Sequence, residues 1–263
     1  MLKLIEMPEL APEEKVVAIY STLARAWGRQ HWWPAQSRFE VIVGAFLTQN
    51  TNWSNVESAL RQLRAARVLS VSGIRNIPIR KLETLVRSSG YFRQKARRLK
   101  TFVQFIDQNY GGSLPKMFAQ PTAILREQLL SLNGVGPETA DSILLYAGQH
   151  PIFVVDAYAR RLSDRHGILP ENAKYEEFRV LFEQALKNVP EVVTGKPAPQ
   201  AGASHKPSRM SMTARSTTAQ VFNEMHGLIV SAAKRHCTKR NPSCETCPLH
   251  PFLPAEQLHS RGL

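Results

Sequence analysis

The residues best suited to chemistry lie in three short stretches. The first is Leu129 to Ala147, LLSLNGVGPETADSILLYA. Asn133 and Gly134 accept the positive φ that closes a helix. Val135 separates two glycines, and Gly136 lets the backbone approach another group closely. Pro137 suits the first turn of a following helix, where its missing N–H costs nothing. The spacing predicts a tight helical hairpin with backbone N–H groups exposed at a helix N-terminus. Such a loop binds phosphate without reading base sequence. An ordinary helix–helix turn is the alternative reading.

The second stretch is Phe153 to Tyr158, FVVDAY. Asp156 follows an apolar run and opens the next predicted helix. As an N-cap it accepts backbone hydrogen bonds. As a partly buried carboxylate facing a pocket, it would act on an electron-poor centre or activate water. The third stretch carries Cys237, Cys244 and Cys247 in a C-x6-C-x2-C spacing, with Lys234, Arg235, Lys239 and Arg240 crowded around it.

These stretches sit in a strongly basic chain of 263 residues with 34 Lys and Arg, 21 Asp and Glu, and a net charge of +13. That balance points to a polyanionic partner, with nucleic acid first and an anionic membrane surface second. Hydrophobic residues make up 43%, which excludes a wholly disordered chain. The longest apolar run, Val41 to Leu47, is far below the ~18 residues that span a bilayer. The start of the chain carries Glu6, Glu9, Glu13 and Glu14 and no long apolar run, so it does not read as a secretory signal. Three cysteines cannot build a disulfide framework, and a reducing, intracellular (cytoplasmic) setting is expected.

The elements that must position these residues are helical. Apolar residues recur at helical spacing over 13–27, 39–47, 52–66, 81–88, 94–106, 122–132, 138–147, 157–166, 175–186 and 221–236. Only Ile152 to Val155 has the β-branched character of a strand. The fold class is therefore all-α, with short helices joined by short loops. Residues 196–218, KPAPQAGASHKPSRMSMTARSTT, carry three prolines, four basic residues and no acidic ones, and read as a flexible basic insertion.

Taken together, L-N-G-V-G-P-E-T-A-D followed by V-V-D-A-Y resembles the helix–hairpin–helix, Gly/Pro-rich loop and catalytic Asp of the endonuclease III superfamily of DNA glycosylases. Phe46 to Thr51 (FLTQNT) resembles the segment bearing that family's wedge glutamine. Gly90 to Ala96 (GYFRQKA) resembles its glycine-aromatic turn, and the cysteine spacing resembles its iron–sulfur loop. The resemblance runs from about Phe39 to Leu253, apart from the insertion. It implies two helical domains with a DNA-binding cleft between them. One would cover 39–150 and carry the hairpin; the other would combine 1–38 with 151–263.

The resemblance also implies roles. The enzyme would act on damaged double-stranded DNA as a monomer, flipping out one nucleotide and cutting its N-glycosidic bond. Asp156 would stabilise the developing oxocarbenium ion and position the nucleophile. Gln49 would fill the gap left in the stack. Asn133, Gly134, Val135 and Gly136 would hold the DNA backbone, with Lys234, Arg235, Lys239 and Arg240 adding phosphate contacts. Members with lyase activity carry a lysine two positions after the second hairpin glycine; here that residue is Glu138. A glutamate forms no Schiff base, so direct hydrolysis is expected.

Glu138, with His31-Trp32-Trp33-Pro34 and Leu47 to Thr51, is similar to the 3-methyladenine DNA glycosylase III branch. Trp32, Trp33, Pro34 and Trp53 are then candidates to line a pocket for an alkylated, cationic purine, with Glu138 either facing that base or capping its helix. Trp53 follows Gln49 by four residues and is expected one helical turn away. Where the family pattern places a fourth cysteine, this chain has Leu253. A 4Fe–4S cluster on Cys237, Cys244 and Cys247 with a fourth ligand such as His250, a zinc site on the same residues, and a metal-free loop are the three alternatives. An endonuclease III-like glycosylase and lyase for oxidised pyrimidines or mismatches, and a non-catalytic helix–hairpin–helix DNA-binding protein, are the competing functions.

Overall fold

The computed structural model describes residues 10–192 and 206–254. The chain divides into two compact units. One comprises 1–30, 155–204 and 220–263; the other comprises 31–154 and 205–219. The second unit thus starts earlier than the expected 39, because Trp32, Trp33 and Ala35 are buried with its core.

That unit is built on α1 (Arg38–Thr48), whose N-cap Ser37 accepts a hydrogen bond from the Glu40 N–H at 3.1 Å. Every residue from Phe39 to Leu47 is buried. A helix that is covered on all sides belongs in the middle of a bundle. Around it run α2 (Trp53–Ala65), α3 (Val71–Asn76), α4 (Ile79–Leu85), α5 (Phe92–Tyr110), α6 (Leu114–Phe118), α7 (Thr122–Leu130) and α8 (Pro137–Ser142). The last continues into a π-helical turn, Ile143–Gly148, that packs on the central helix. Helices α3 and α6 have six and five residues, too few for a 3.6-residue repeat to register in the sequence. The expected helix at 81–88 instead ends at Leu85 and is followed by a 3-10 turn, Arg87–Ser89.

The other unit contains α9 (Pro12–Trp27), α10 (Ala157–Arg165), α11 (Tyr175–Leu186) and α12 (Thr217–Arg235) from Gln220 onward. Val16, Ile19, Tyr20, Leu23 and Trp27 form the buried stripe of α9, which packs on α11. Arg161 Nε donates to the Cys237 carbonyl at 2.7 Å and Arg165 Nη1 to the Thr238 carbonyl at 3.1 Å, fastening the cysteine loop to α10.

The all-α expectation holds among the described residues, and one other expectation is corrected. Ile152–Val155 is buried, and no residue there belongs to a strand; no strand occurs among the described residues. The described part of the supposed flexible insertion, residues 206–218, is ordered. The Met210 N–H donates to the Ala35 carbonyl at 3.0 Å, and the Ala35 N–H donates to Ser208 Oγ at 3.2 Å. Ser208 N–H donates to Ser211 Oγ at 2.8 Å, and both serines and Met210 are buried. Composition hides this because the serines satisfy one another locally and one methionine supplies the anchor. Residues 196–205 lie outside the described residues. No helix among the described residues is long and apolar enough to cross a membrane.

Candidate DNA interface and catalytic carboxylate

The hairpin is formed by α7 and α8. Gly134 sits between them at φ +81°, a conformation that L side chains rarely adopt. Val135 is buried and its N–H closes the turn on the Leu132 carbonyl at 3.0 Å. Gly136 is different: its φ is −92°, and a Cβ there would meet nothing within 4 Å. No intramolecular constraint requires glycine at 136, so the open space above it is available to an external group. Asn133 and Gly136 are exposed. The hairpin is braced from behind by a bidentate pair in which Arg126 Nε and Nη2 donate to Asp141 Oδ1 and Oδ2 at 2.7 and 3.1 Å. Asp141 is fully buried, which makes this charge-assisted pair a structural pin. Glu138 stands exposed on the first turn of α8, where its charge complements the helix N-terminus.

Gln49 is joined to this hairpin. It is the C-cap of α1, and its Nε2 donates to the Gly134 carbonyl at 3.1 Å and to Thr139 Oγ1 at 2.9 Å. Arg98 Nη1 donates to Gln49 Oε1, and the Arg98 side chain lies where a Cβ on Gly134 would have to go. Gly134 is therefore required by its φ, and the flexible end of Arg98 packs against it. Trp53 is not one helical turn from Gln49. The chain leaves α1 at Gln49, passes Asn50 at φ +53°, and restarts at the N-cap Asn52, so the two residues belong to different helices.

The aromatic residues do gather. The Trp33 ring centroid lies 5.1 Å from Trp53, 5.3 Å from Trp32 and 5.3 Å from Tyr146. Trp32 and Trp33 are 7% and 5% exposed, so the accessible members are Trp53 and Pro34, both half-buried. Trp53 Nε1 donates to Glu57 Oε1 at 2.8 Å, which fixes its ring. Tyr146 had no sequence signal because its partners are more than 90 residues away.

Asp156 is the N-cap of α10, with Oδ1 accepting from the Ala159 N–H at 2.8 Å. Its Oδ2 is 3.5 Å from His226 Nε2 on α12. Burial would raise the carboxyl pKa, but the charge and hydrogen bonding of His226 and the N–H groups of Ala159 and Tyr158 outweigh it and hold it below its ordinary value. The second oxygen is thus a carboxylate oxygen kept ionised. His226 was not singled out from sequence: it lies on an apolar helix 70 residues downstream, with no motif to mark it.

Cys237, Cys244 and Cys247 line one small cavity with His166, His236, His250 and Leu253. Cys237 and Cys244 are buried. Arg165 Nη1 donates to Cys237 Sγ at 3.0 Å and the Leu249 N–H to Cys247 Sγ at 3.5 Å, donors that suit ligating thiolates. Leu253 puts an apolar group on the same wall. Among the described residues no three His, Cys, Asp or Glu side chains converge closely enough to hold a metal ion. Lys234, Arg235, Lys239 and Arg240 are exposed around the loop. One further exposed group stands out: Tyr91, 66% exposed and held at φ +44° before α5, with Arg93 over the ring of Phe92.

Residues 43–188 match the model of the HhH-GPD superfamily base excision DNA repair protein. A candidate DNA repair glycosylase of Methanocaldococcus jannaschii is 40% identical over 240 residues, 91% of this chain and 96% of the relative. The endonuclease III of Thermotoga maritima is 27% identical over 214 residues, 80% of this chain and 79% of that protein. The crystal structure of the H. pylori 3-methyladenine DNA glycosylase bound to 1,N6-ethenoadenine superposes with a TM-score of 0.66 at 29% identity, covering 86% of this chain and 98% of that one. With a hairpin, a carboxylate after it and a match over more than half its length, the chain belongs to the HhH-GPD superfamily of base excision DNA repair proteins.

Proposed function

We propose that this base excision repair DNA glycosylase removes alkylated purines, 3-methyladenine among them, by direct hydrolysis and without cutting the strand. The observation that carries the substrate class is the likeness to the H. pylori 3-methyladenine enzyme over 86% of the chain. The aromatic group around Trp33, whose rings meet edge-on or tilted, supports it, since a cationic purine is attracted to an aromatic face. Trp53 and Pro34 are its accessible surfaces, with Trp32 and Trp33 backing them.

The proposed chemistry follows from the carboxylate. Alkylation at N3 leaves the purine cationic, so the C1′–N9 bond breaks with both electrons going to the base, which departs neutral. The Asp156 carboxylate stabilises the positive charge left on C1′ and the ring oxygen. Water adds to C1′, and its proton passes to the carboxylate and on to solvent. Glu138 stands where a lyase would need an amine, which supports hydrolysis over β-elimination. Glu138 itself is read as a helix-capping charge that favours a cationic base nearby. The hairpin and the loop bearing Lys234, Arg235, Lys239 and Arg240 hold backbone phosphates, and Gln49 fills the vacated stack.

The cysteine loop is read as the holder of a 4Fe–4S cluster through Cys237, Cys244 and Cys247, with His250, which lines the same cavity, as the candidate further donor. The cluster would supply a rigid loop rather than reaction chemistry. Excision is tested on duplexes bearing 3-methyladenine, 7-methylguanine, hypoxanthine, thymine glycol, uracil, or 8-oxoguanine opposite adenine, with and without hot alkali. Alkylpurine release with breakage only after alkali is the expected result. Thymine glycol release with direct breakage would overturn both the substrate class and the role of Glu138. Binding without release from any substrate would favour a non-catalytic DNA-binding protein.

A further inference from the structure

We propose that Arg98 is a ligand for a DNA backbone phosphate at the hairpin, and that by gripping Gln49 it ties phosphate binding to the position of the wedge side chain. The inference rests on the reading of the hairpin as the duplex-binding element. It needs no particular damaged base.

Three observations lead to it. The Arg98 side chain lies against Gly134 so closely that a Cβ there would overlap it. Its guanidinium therefore borders the hairpin turn. Next, its one polar partner among the described residues is the neutral amide of Gln49, and no carboxylate pairs with it. By contrast, Arg126 on the same hairpin has Asp141, and Arg75 elsewhere in the unit has Asp107. Finally, a second cation is close. Lys95 is buried with its Nζ donating to the carbonyls of Leu47 at 2.9 Å and Ser89 at 2.6 Å, and its pKa is lowered to about 8 by burial and then by the charge of Arg98.

Two cations with only neutral partners create a local positive potential that a bound anion relieves. A guanidinium has five N–H donors in a fixed fork, so it can take a phosphate while keeping its bond to Gln49. The vacant space above Gly136 lets a strand approach the same turn. Gln49 in turn donates to Gly134 and Thr139, so the wedge amide, the phosphate loop and the arginine form one hydrogen-bonded unit.

The experiment measures binding of a labelled, undamaged duplex as a function of salt for the wild type, Arg98→Gln, Arg98→Lys and Arg75→Gln. Arg98→Gln keeps an amide donor and loses the charge. Its log K against log salt slope should fall by about 0.9, the signature of one lost phosphate contact, with affinity roughly tenfold lower at low salt. Arg98→Lys should recover the slope, and Arg75→Gln should leave it unchanged because Asp107 already neutralises that arginine. An Arg98→Gln protein with wild-type slope and affinity overturns the inference. Phenylglyoxal labelling of the unaltered protein, mapped by mass spectrometry, gives a check that needs no folded variant. Saturating duplex should shield Arg98, and undiminished labelling overturns the inference. A wrong substrate class leaves these results intact, whereas a wild type that binds no duplex overturns the hairpin reading and this inference together.

Discussion

His226 Nε2 stands 3.5 Å from Asp156 Oδ2, while the other carboxylate oxygen of Asp156 accepts the Ala159 N–H at 2.8 Å. One oxygen is committed to the helix cap and the other faces an imidazole. This arrangement keeps the carboxyl ionised below its ordinary pKa despite burial. A carboxylate with a lower pKa when folded than when unfolded adds stability above its unfolded value of about 3.9. That stability is lost as pH falls through the folded value. Asp156→Asn should therefore abolish excision and flatten the acid side of the stability curve while leaving duplex binding in place. His226→Gln should move the acid limb of the excision profile to higher pH. Excision rates and urea midpoints from about pH 3 to 7 check both.

The two hairpin glycines should respond differently. Gly134 is at φ +81° with Arg98 against it, so Gly134→Ala should cost about 1–3 kcal/mol of stability. Gly136 has an ordinary φ and free space, so Gly136→Ala should leave the thermal midpoint close to that of the wild type. It should nonetheless weaken duplex binding about tenfold, since the methyl occupies the room a strand needs. Thermal melts and binding titrations on both variants separate folding from recognition. A Gly136→Ala protein that binds like the wild type would show that nothing approaches that loop.

Gln49→Ala removes the bonds to Gly134 and Thr139 and any filler for a gap in the stack. Excision from paired duplex should fall by roughly an order of magnitude, about 1.4 kcal/mol, and release from single strands should change less. Equal losses on both substrates would assign Gln49 to bracing the hairpin alone.

Lys95 offers a pH test of the core. Its pKa is lowered to about 8, against about 10.4 in an unfolded chain. Between those values the unfolded chain holds more protons, so this residue makes stability rise with pH. Lys95→Met should remove that rise and also release the Leu47 carbonyl two residues before Gln49. Urea midpoints at about pH 7 and pH 10 should diverge between wild type and variant.

Leu253 lines the cavity that holds the three cysteines. Leu253→Cys supplies a thiol on that wall and should increase iron bound per protein and the broad visible absorbance of an iron–sulfur cluster. Iron analysis of both proteins after anaerobic purification checks it. No iron in either would leave the loop as a metal-free scaffold for Lys239 and Arg240.

Much was legible in the sequence because it depends on local rules. Gly134 and Pro137 announce a helix ending and another beginning, and the structure places the turn there. Asp156 after an apolar run announces an N-cap, and it caps α10. The long helices were visible from their apolar repeat. Other features needed the tertiary structure, for physical reasons that can be named. Helices of five and six residues show too little periodicity. The strap at 206–216 was hidden because Ser208 and Ser211 satisfy each other and only Met210 marks its burial. The spacing of four between Gln49 and Trp53 suggests one helical turn, but Asn50 in the left-handed region breaks the helix between them.

Above all, the partners of the key residues are distant in the chain. His226 reaches Asp156 from 70 residues away, Tyr146 reaches Trp33 from more than 110, and Arg98 reaches Gln49 from 49. The sequence by itself determined which residues carry charge, which turns are possible and where helices run, since these follow from backbone sterics and side-chain chemistry. Which carboxylate has a histidine beside it, and which arginine is left without a counter-ion beside the hairpin, was decided only when the helices packed. Packing sets the distances, and Coulomb and hydrogen-bond energies depend on distance rather than on order along the chain.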